Sequence, residues 1–439
     1  MSRGHGDILG ADIETGIASM AEHSNETQPD RVDFQPLTPQ FASNPYKVYE
    51  RLRVLEEPYY FEDMNVHLLS RYEDVEAAAR QGVMVRSLAA VMSPDYVREE
   101  QKRANFHEMP NHEQLVQLSM LEQDGANHRR LRMLVLREFS RQFVEKHREM
   151  IQRYVDRLLE PLLEKQEFDF VAELASHVPG HIIGNILGVP DEDCPQLRVW
   201  SENIVQYFDA DRTDTNKQLA ESATSEFKEY LVRLIAERES KPREDLLSVL
   251  ISARNAGELD ENELVSLSLL ILAGGHGSTI DVLGTGLLAL LSHPDQHSKL
   301  RSAPELTGTA IHEMFRYDSP LPFFHRYASE DVQVMGRTYP KGTKFGLLYG
   351  SANRDPAQFP NAHRFEVERT PNRHIAFGRG AHLCLGNNLA RLDMEIIFKS
   401  LLARTEDIQC DTENAHYKPG LAARGLIELP VRLIPAARL

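Results

Sequence analysis

The sequence predicts a mainly α-helical protein with a minor β region, running as one continuous unit behind an N-terminal tail. Three observations carry this. Amphipathic helical patterns dominate residues 73–243. A long apolar stretch over residues 264–291 marks a buried central helix. Alternating patterns are confined to short runs within residues 59–69, 332–348 and 425–434.

The elements follow in order. Residues 1–33 are polar and lack periodicity, which predicts a flexible tail before a single domain over residues 34–439. Residues 46–55 read as helix and lead into the first strand region. Residues 93–113, charged and carrying Pro94 and Pro110, read as a long loop of the kind that closes over substrate. Residues 147–164 and 226–239 are amphipathic helices. The 264–291 stretch is interrupted by Gly274, Gly275, His276, Gly277 and Asp281, which argues for a core helix and against a membrane span. Another helix covers residues 304–317 and ends near Pro320. Short strands at Val332-Gln333-Val334 and residues 344–348 flank the turn Pro340-Lys341-Gly342. Residues 425–434 alternate again, as a closing strand pair would.

With 41% hydrophobic and 26% charged residues in 439, the composition is that of a soluble globular protein with room for a large core. A net charge of −17 opposes non-specific nucleic-acid binding, which needs a basic surface. Three cysteines, Cys194, Cys384 and Cys410, are too scattered for a disulfide framework and fit a reducing cytoplasm. No charged start followed by an apolar core and a cleavage site marks a signal peptide.

The chemistry concentrates in the run Phe377-Gly378-Arg379-Gly380-Ala381-His382-Leu383-Cys384-Leu385-Gly386. Leu385, Leu389, Leu392 and Ile396 recur at helical spacing, so a helix is expected to begin at Cys384. Its N-terminal amides would favour a thiolate. Gly378, Gly380 and Gly386 allow tight turns and close approach to a flat ligand. A soft thiolate on such a loop suits an iron ligand facing a macrocycle, the alternative being a buried structural cysteine.

The run fills every fixed position of F-G-x-G-x-H-x-C-x-G and so resembles the haem-binding loop of the cytochrome P450 family. The resemblance extends over about residues 34–439. It implies that family's fold, with a long central helix over a haem, and haem b (iron protoporphyrin IX) ligated through iron by Cys384. Phe377, Gly378, His382 and Gly386 would complete the binding loop. His128 and Arg132, four residues apart, resemble the helix that contacts the haem propionates, and Arg326 matches another propionate-binding arginine. Glu313 and Arg316 match the family's E-x-x-R pair, and Arg364 is expected as the third member of that structural triad. Leu321, Phe323, Phe324, Leu421, Gly274 and Gly275 are expected to line the substrate pocket. His325 beside them is unusual.

On the oxygen side the sequence departs from the family. Where the pattern has an acid followed by threonine, this chain has Gly277 and Ser278; a one-residue shift brings Thr279 to the alcohol position, again without an acid. A serine hydroxyl both donates and accepts, so Ser278 can still handle protons. His276 could act as a donor in principle, though the family often carries histidine there without such a role. The resemblance implies a soluble, bacterial-type cytoplasmic monooxygenase acting on a small organic substrate by hydroxylation or oxidative demethylation, with no membrane anchor and as a monomer. A separate ferredoxin or flavodoxin with its reductase would supply electrons. Arg129, Arg130, Arg137, Arg141, Arg373, Arg379 and Arg391 would form the basic patch that steers it. The alternatives are peroxide-driven oxidation, favoured by Gly277, or a non-catalytic haem-thiolate sensor.

Overall fold

A computed structural model describes residues 32–209 and 211–437. The tail expected over residues 1–33 therefore lies, apart from Val32 and Asp33, outside the described residues. Residues Phe34–Leu439 form one compact unit.

Ten strands are β1 Tyr59–Phe61, β2 Val66–Leu69, β3 Met84–Val85, β4 Glu167–Asp169, β5 Phe323–Ala328, β6 Val332–Val334, β7 Arg337–Tyr339, β8 Lys344–Leu348, β9 Thr405–Cys410 and β10 Pro430–Pro435, counted among the described residues. They form a five-stranded sheet in the order β1-β2-β8-β5-β3, a three-stranded sheet β4-β10-β9 and the hairpin β6-β7. The turn Pro340-Lys341-Gly342 thus joins β7 to β8 in a different sheet. The hairpin itself turns at Met335 and Gly336, both at positive φ. The C-terminal run contributes one strand, β10, which pairs with β4 and β9 and not within residues 425–434.

The helices supply most of the structure, and their starts follow from side-chain caps. Asp260 and Glu263 form a capping box at the start of Glu261–Gly274. Ser93 accepts the Tyr96 amide at 3.4 Å with Pro94 in the first turn, so Pro94–Arg103 is a helix and not the loop expected there. Pro110 opens a further short turn of helix, Pro110–His112.

The central apolar stretch is two helices, Glu261–Gly274 and Gly277–Leu291, with Gly275 and His276 between them. Glycine lowers helix propensity by about 1 kcal/mol per residue, and three glycines within four residues concentrate that weakness. The stretch is long and apolar enough to cross a membrane, yet 72% of its most apolar window is buried inside the protein. Both helices join the main core with Val178–Leu187, Thr307–Tyr317 and Asn387–Arg404.

Candidate active site

Cys384 lies on a loop just before Asn387–Arg404, with Gly386 at the cap position, so the helix starts three residues later than expected. Its amide donates to the Phe377 carbonyl at 2.8 Å, and its own carbonyl accepts from Asn387 Nδ2 at 2.7 Å. Gly378 and Gly380 stand at φ +71° and +72°, and a Cβ on Gly380 would meet the Ala79 carbonyl at 2.6 Å. Phe377 packs on Phe315 with ring centroids 4.4 Å apart. Cys384 is exposed although it lies deep in the protein, so it borders an internal chamber. Burial pushes its thiol up, against the pull of the Gly386 and Asn387 amides and the Arg132 and Arg391 guanidiniums. The helix-terminus effect expected from sequence is present but outweighed; coordination to a metal deprotonates such a thiol outright.

Beside the loop stands a group of cations and histidines. Arg132 donates through Nη2 to the Leu383 carbonyl at 2.5 Å. His128 and His382 face each other at 4.2 Å between centroids, and His382 Nε2 lies 3.0 Å from Asp124 Oδ1. Asp124, which precedes the His128–Arg132 pair, also accepts the Arg86 and Ser87 amides and so braces this corner. Burial pushes His128 down to about 4, keeping it neutral. His128 Nε2 and Arg326 Nε are buried with no hydrogen-bond partner among the described residues. Orphaned donors beside an accessible deep thiol fit the carboxylates of a haem, and the glycine loop fits its face.

Behind the loop, Glu313 and Arg316 are wholly buried and joined by two hydrogen bonds, 2.7 and 2.8 Å. The third member is Arg369, whose Nε meets both Glu313 oxygens at 3.1 Å. Arg364, the residue expected there, is exposed and offers only its carbonyl, to Arg316 Nη2 at 2.8 Å. The chain turns after Phe365, which is buried in the core, and this brings the arginine four residues later round to the carboxylate. Asn372 Nδ2 and the Glu366 amide complete the shell of Glu313 at 3.1 and 2.9 Å.

On the central helices, a Cβ at Gly274 or Gly277 would meet nothing within 4 Å, so both glycines border open space. Ser278 is half-buried and Thr279 buried. Gly275 faces Ile183, 2.8 Å from where its Cβ would stand, so it serves close helix packing and is not a pocket wall. His276 is turned away too. Its ring lies against Gly180, and burial pushes it down to about 4, which removes it as a proton donor. A carboxylate does appear one turn beyond Gly277: Asp281, buried and paired with Lys418 Nζ at 2.9 Å.

The other pocket residues divide. Leu321 and Phe324 are half-buried, and Phe324 lies under Arg86 at 5.3 Å. Phe323 is packed within the sheet over Gly346 and leaves the pocket set. Leu421 is 1% exposed and borders no open space; its neighbours Ala422 and Ala423 are the half-exposed residues of that loop. Asp209 clamps the loop by accepting the Leu421 and Ala422 amides at 2.8–3.0 Å.

Residues 78–413 match the family model described as Cytochrome P450, a span that includes Cys384 and the Glu313 network. The chain is 34% identical over 414 residues to the polyketide biosynthesis cytochrome P450 PksS of Bacillus subtilis (strain 168), covering 92% of this chain and 99% of that protein. It is 33% identical over 418 residues to the cytochrome P450 monooxygenase PikC of Streptomyces venezuelae, covering 94% and 96%. The solved structure of P450BioI with an acyl carrier protein bearing hexadec-9Z-enoic acid superposes at a TM-score of 0.83, with 31% identity over 90% of this chain and 99% of that one. Loop, ion network and likenesses agree: the chain belongs to the cytochrome P450 family and is an oxidoreductase, a bacterial-type haem-thiolate monooxygenase.

Proposed function

We propose that the chain holds haem b through Cys384 and oxidises a small organic substrate by hydroxylation or oxidative demethylation. The observation that carries this is Cys384 itself, exposed yet deep, on a glycine loop with orphaned donors beside it. When bound, haem supplies the redox chemistry that activates dioxygen and inserts one of its oxygen atoms into substrate. The protein's part is positional. Arg132, Arg326, His128 and His382 would hold the propionates, Phe377 and the glycines would seat the ring, and the Glu313 network would fix the loop from behind. Ser278 would pass protons from water on the opposite side, with Asp281 and Lys418 one turn away. The test is the reduced carbon monoxide spectrum. A thiolate-type Soret band is expected, and its absence in haem-loaded protein would overturn the ligand assignment.

Electrons would come from a separate ferredoxin or flavodoxin with its reductase, in the cytoplasm. The helix Gly125–Leu136 supports this: Arg129 lies on it beside Met133, 62% exposed, and Leu136, 41% exposed, with Arg137 and Arg141 just beyond. Cations around an apolar centre suit an acidic partner. Arg130, Arg379 and Arg391 leave the expected patch. They are engaged by Glu263, by Glu76 and by Asn387 with Asn388. A second reading, peroxide-driven oxidation, is favoured by the glycine at 277; turnover with peroxide compared with reduced ferredoxin separates the two.

A further inference from the structure

Strand register gathers unusual charge at the far end of the strand that begins beside the pocket. In the β5–β8 pair Tyr327 stands opposite Lys344 and His325 opposite Gly346. Side chains alternate along a strand, so Phe323, His325, Tyr327 and Lys344 share one face, while Phe324 and Arg326 point to the other. The His325 and Tyr327 rings meet edge to face at 5.3 Å. His325, Tyr327 and Lys344 are half-exposed although they lie deep in the protein, so this face also borders internal space.

Arg212 completes the cluster from a separate segment. It stacks on Phe106 at 4.6 Å and donates to the Tyr207 and Phe208 carbonyls at 3.3 Å each. The nearby carboxylates are already engaged, Glu100 by Arg103, Glu122 by Arg86, and Asp209 by the Leu421 and Ala422 amides. Among the described residues, neither Lys344 nor Arg212 has a carboxylate at ion-pair distance. The Lys344 bond to the Met64 carbonyl is long, 3.4 Å. Two cations drawn from water into one enclosed place are unfavourable until an anion joins them.

Resting on the monooxygenase reading above, we propose that Lys344 and Arg212, with Tyr327 and His325 beside them, anchor the anionic head group of an otherwise apolar substrate. Burial, and then the charge of Arg212, push Lys344 down to about 7, as an unpaired cation among cations should be. From Tyr327 back to Phe323, where the strand begins, is about 13 Å. The substrate is therefore elongated, with its anionic end at the cluster and its reacting carbon at the chamber by Cys384. A carboxylate or a phosphate monoester would satisfy the same two cations.

The test is calorimetric binding to the holoenzyme of a long-chain carboxylic acid, the alkyl phosphate of equal length and the methyl ester of the acid. At least one anion is expected to bind about tenfold or more tighter than the ester, as a charge-assisted contact provides. The tighter of the two identifies the head group. Lys344→Gln with Arg212→Gln should erase the preference, and Lys344→Arg should keep it. Equal binding of acid, phosphate and ester by wild type, or a preference surviving in the double variant, would overturn the proposal. If the double variant does not fold, Lys344→Gln against Lys344→Arg decides alone. The reduced carbon monoxide spectrum of each variant reports the haem reading separately, so failure of one is not mistaken for failure of the other.

Discussion

On the cysteine side of the chamber, polar groups are braced from behind: Glu313 takes bonds from two guanidiniums, an amide and Asn372, and the loop carbonyls are held by Arg132 and Asn387. On the central apolar stretch the helix is broken, its glycines at 274 and 277 face open space, and the acid one turn on is tied to a lysine. The difference teaches where variation is tolerated. The proposed ligand to iron must not move, and the loop that carries it is braced by groups that depend on each other. The segment proposed to meet substrate and oxygen is left open, and its chemistry can be changed by single residues.

The comparison can be broken most severely at Glu313. Glu313→Ala strands two buried guanidiniums, at an expected loss of about 3–5 kcal/mol and with it haem retention, read by thermal melting and haem content. It is sharpened by its control: Arg369→Ala should resemble Glu313→Ala, while exposed Arg364→Ala should change stability by no more than about 0.5 kcal/mol. Next is Cys384→Ala, expected to abolish the thiolate-type Soret band of the carbon monoxide complex while the far-ultraviolet dichroism stays that of a folded helical protein. Across the chamber the effects should be kinetic. Ser278→Ala should leave the spectrum intact and divert electrons from product into released peroxide, measured as product formed per NADH consumed; unchanged coupling would remove Ser278 from the proton route. Gly277→Asp, whose Cβ enters open space, should raise the same ratio.

The smallest effect is in pH. Lys344 titrates near 7 in the fold, below the ordinary lysine value, so it is charged below that pH and neutral above it. Affinity for an anionic substrate should therefore be greatest below pH 7 and fall as pH rises, by at most about tenfold per unit. A flat profile from pH 6 to 8, by calorimetry, would mean that Arg212 alone carries the attraction.

Legibility in the sequence followed the range of the physical constraint. The cysteine loop was readable because local rules govern it: positive φ at Gly378 and Gly380 demands glycine, and both stand in one short run with their thiol. The Glu313–Arg316 pair is local too, one helical turn apart. Its third partner was misplaced because nothing in residues 361–369 says which arginine the turn carries inward; the burial of Phe365 decides that. Charge and prolines over residues 93–113 predict a loop, but Ser93 and Pro94 form a helix start signal that wins, giving Pro94–Arg103. Apolarity points to Phe323 and Leu421 as pocket walls, yet it does not distinguish a chamber lining from a packed core, where both side chains are buried.

By itself, then, the sequence determined the fold class through its helical periodicity, and its resemblance to the family pointed to the thiol that would bind iron and to Gly277 where the pattern has an acid. Only the tertiary structure decided that Arg369 meets Glu313, that Asp281 is paired with Lys418, and that Lys344 and Arg212 come near each other with no carboxylate at ion-pair distance among the described residues. Those partners are more than a hundred residues apart in two cases and meet through packing of distant elements. Chain spacing holds no trace of such meetings, because burial of the whole core determines them.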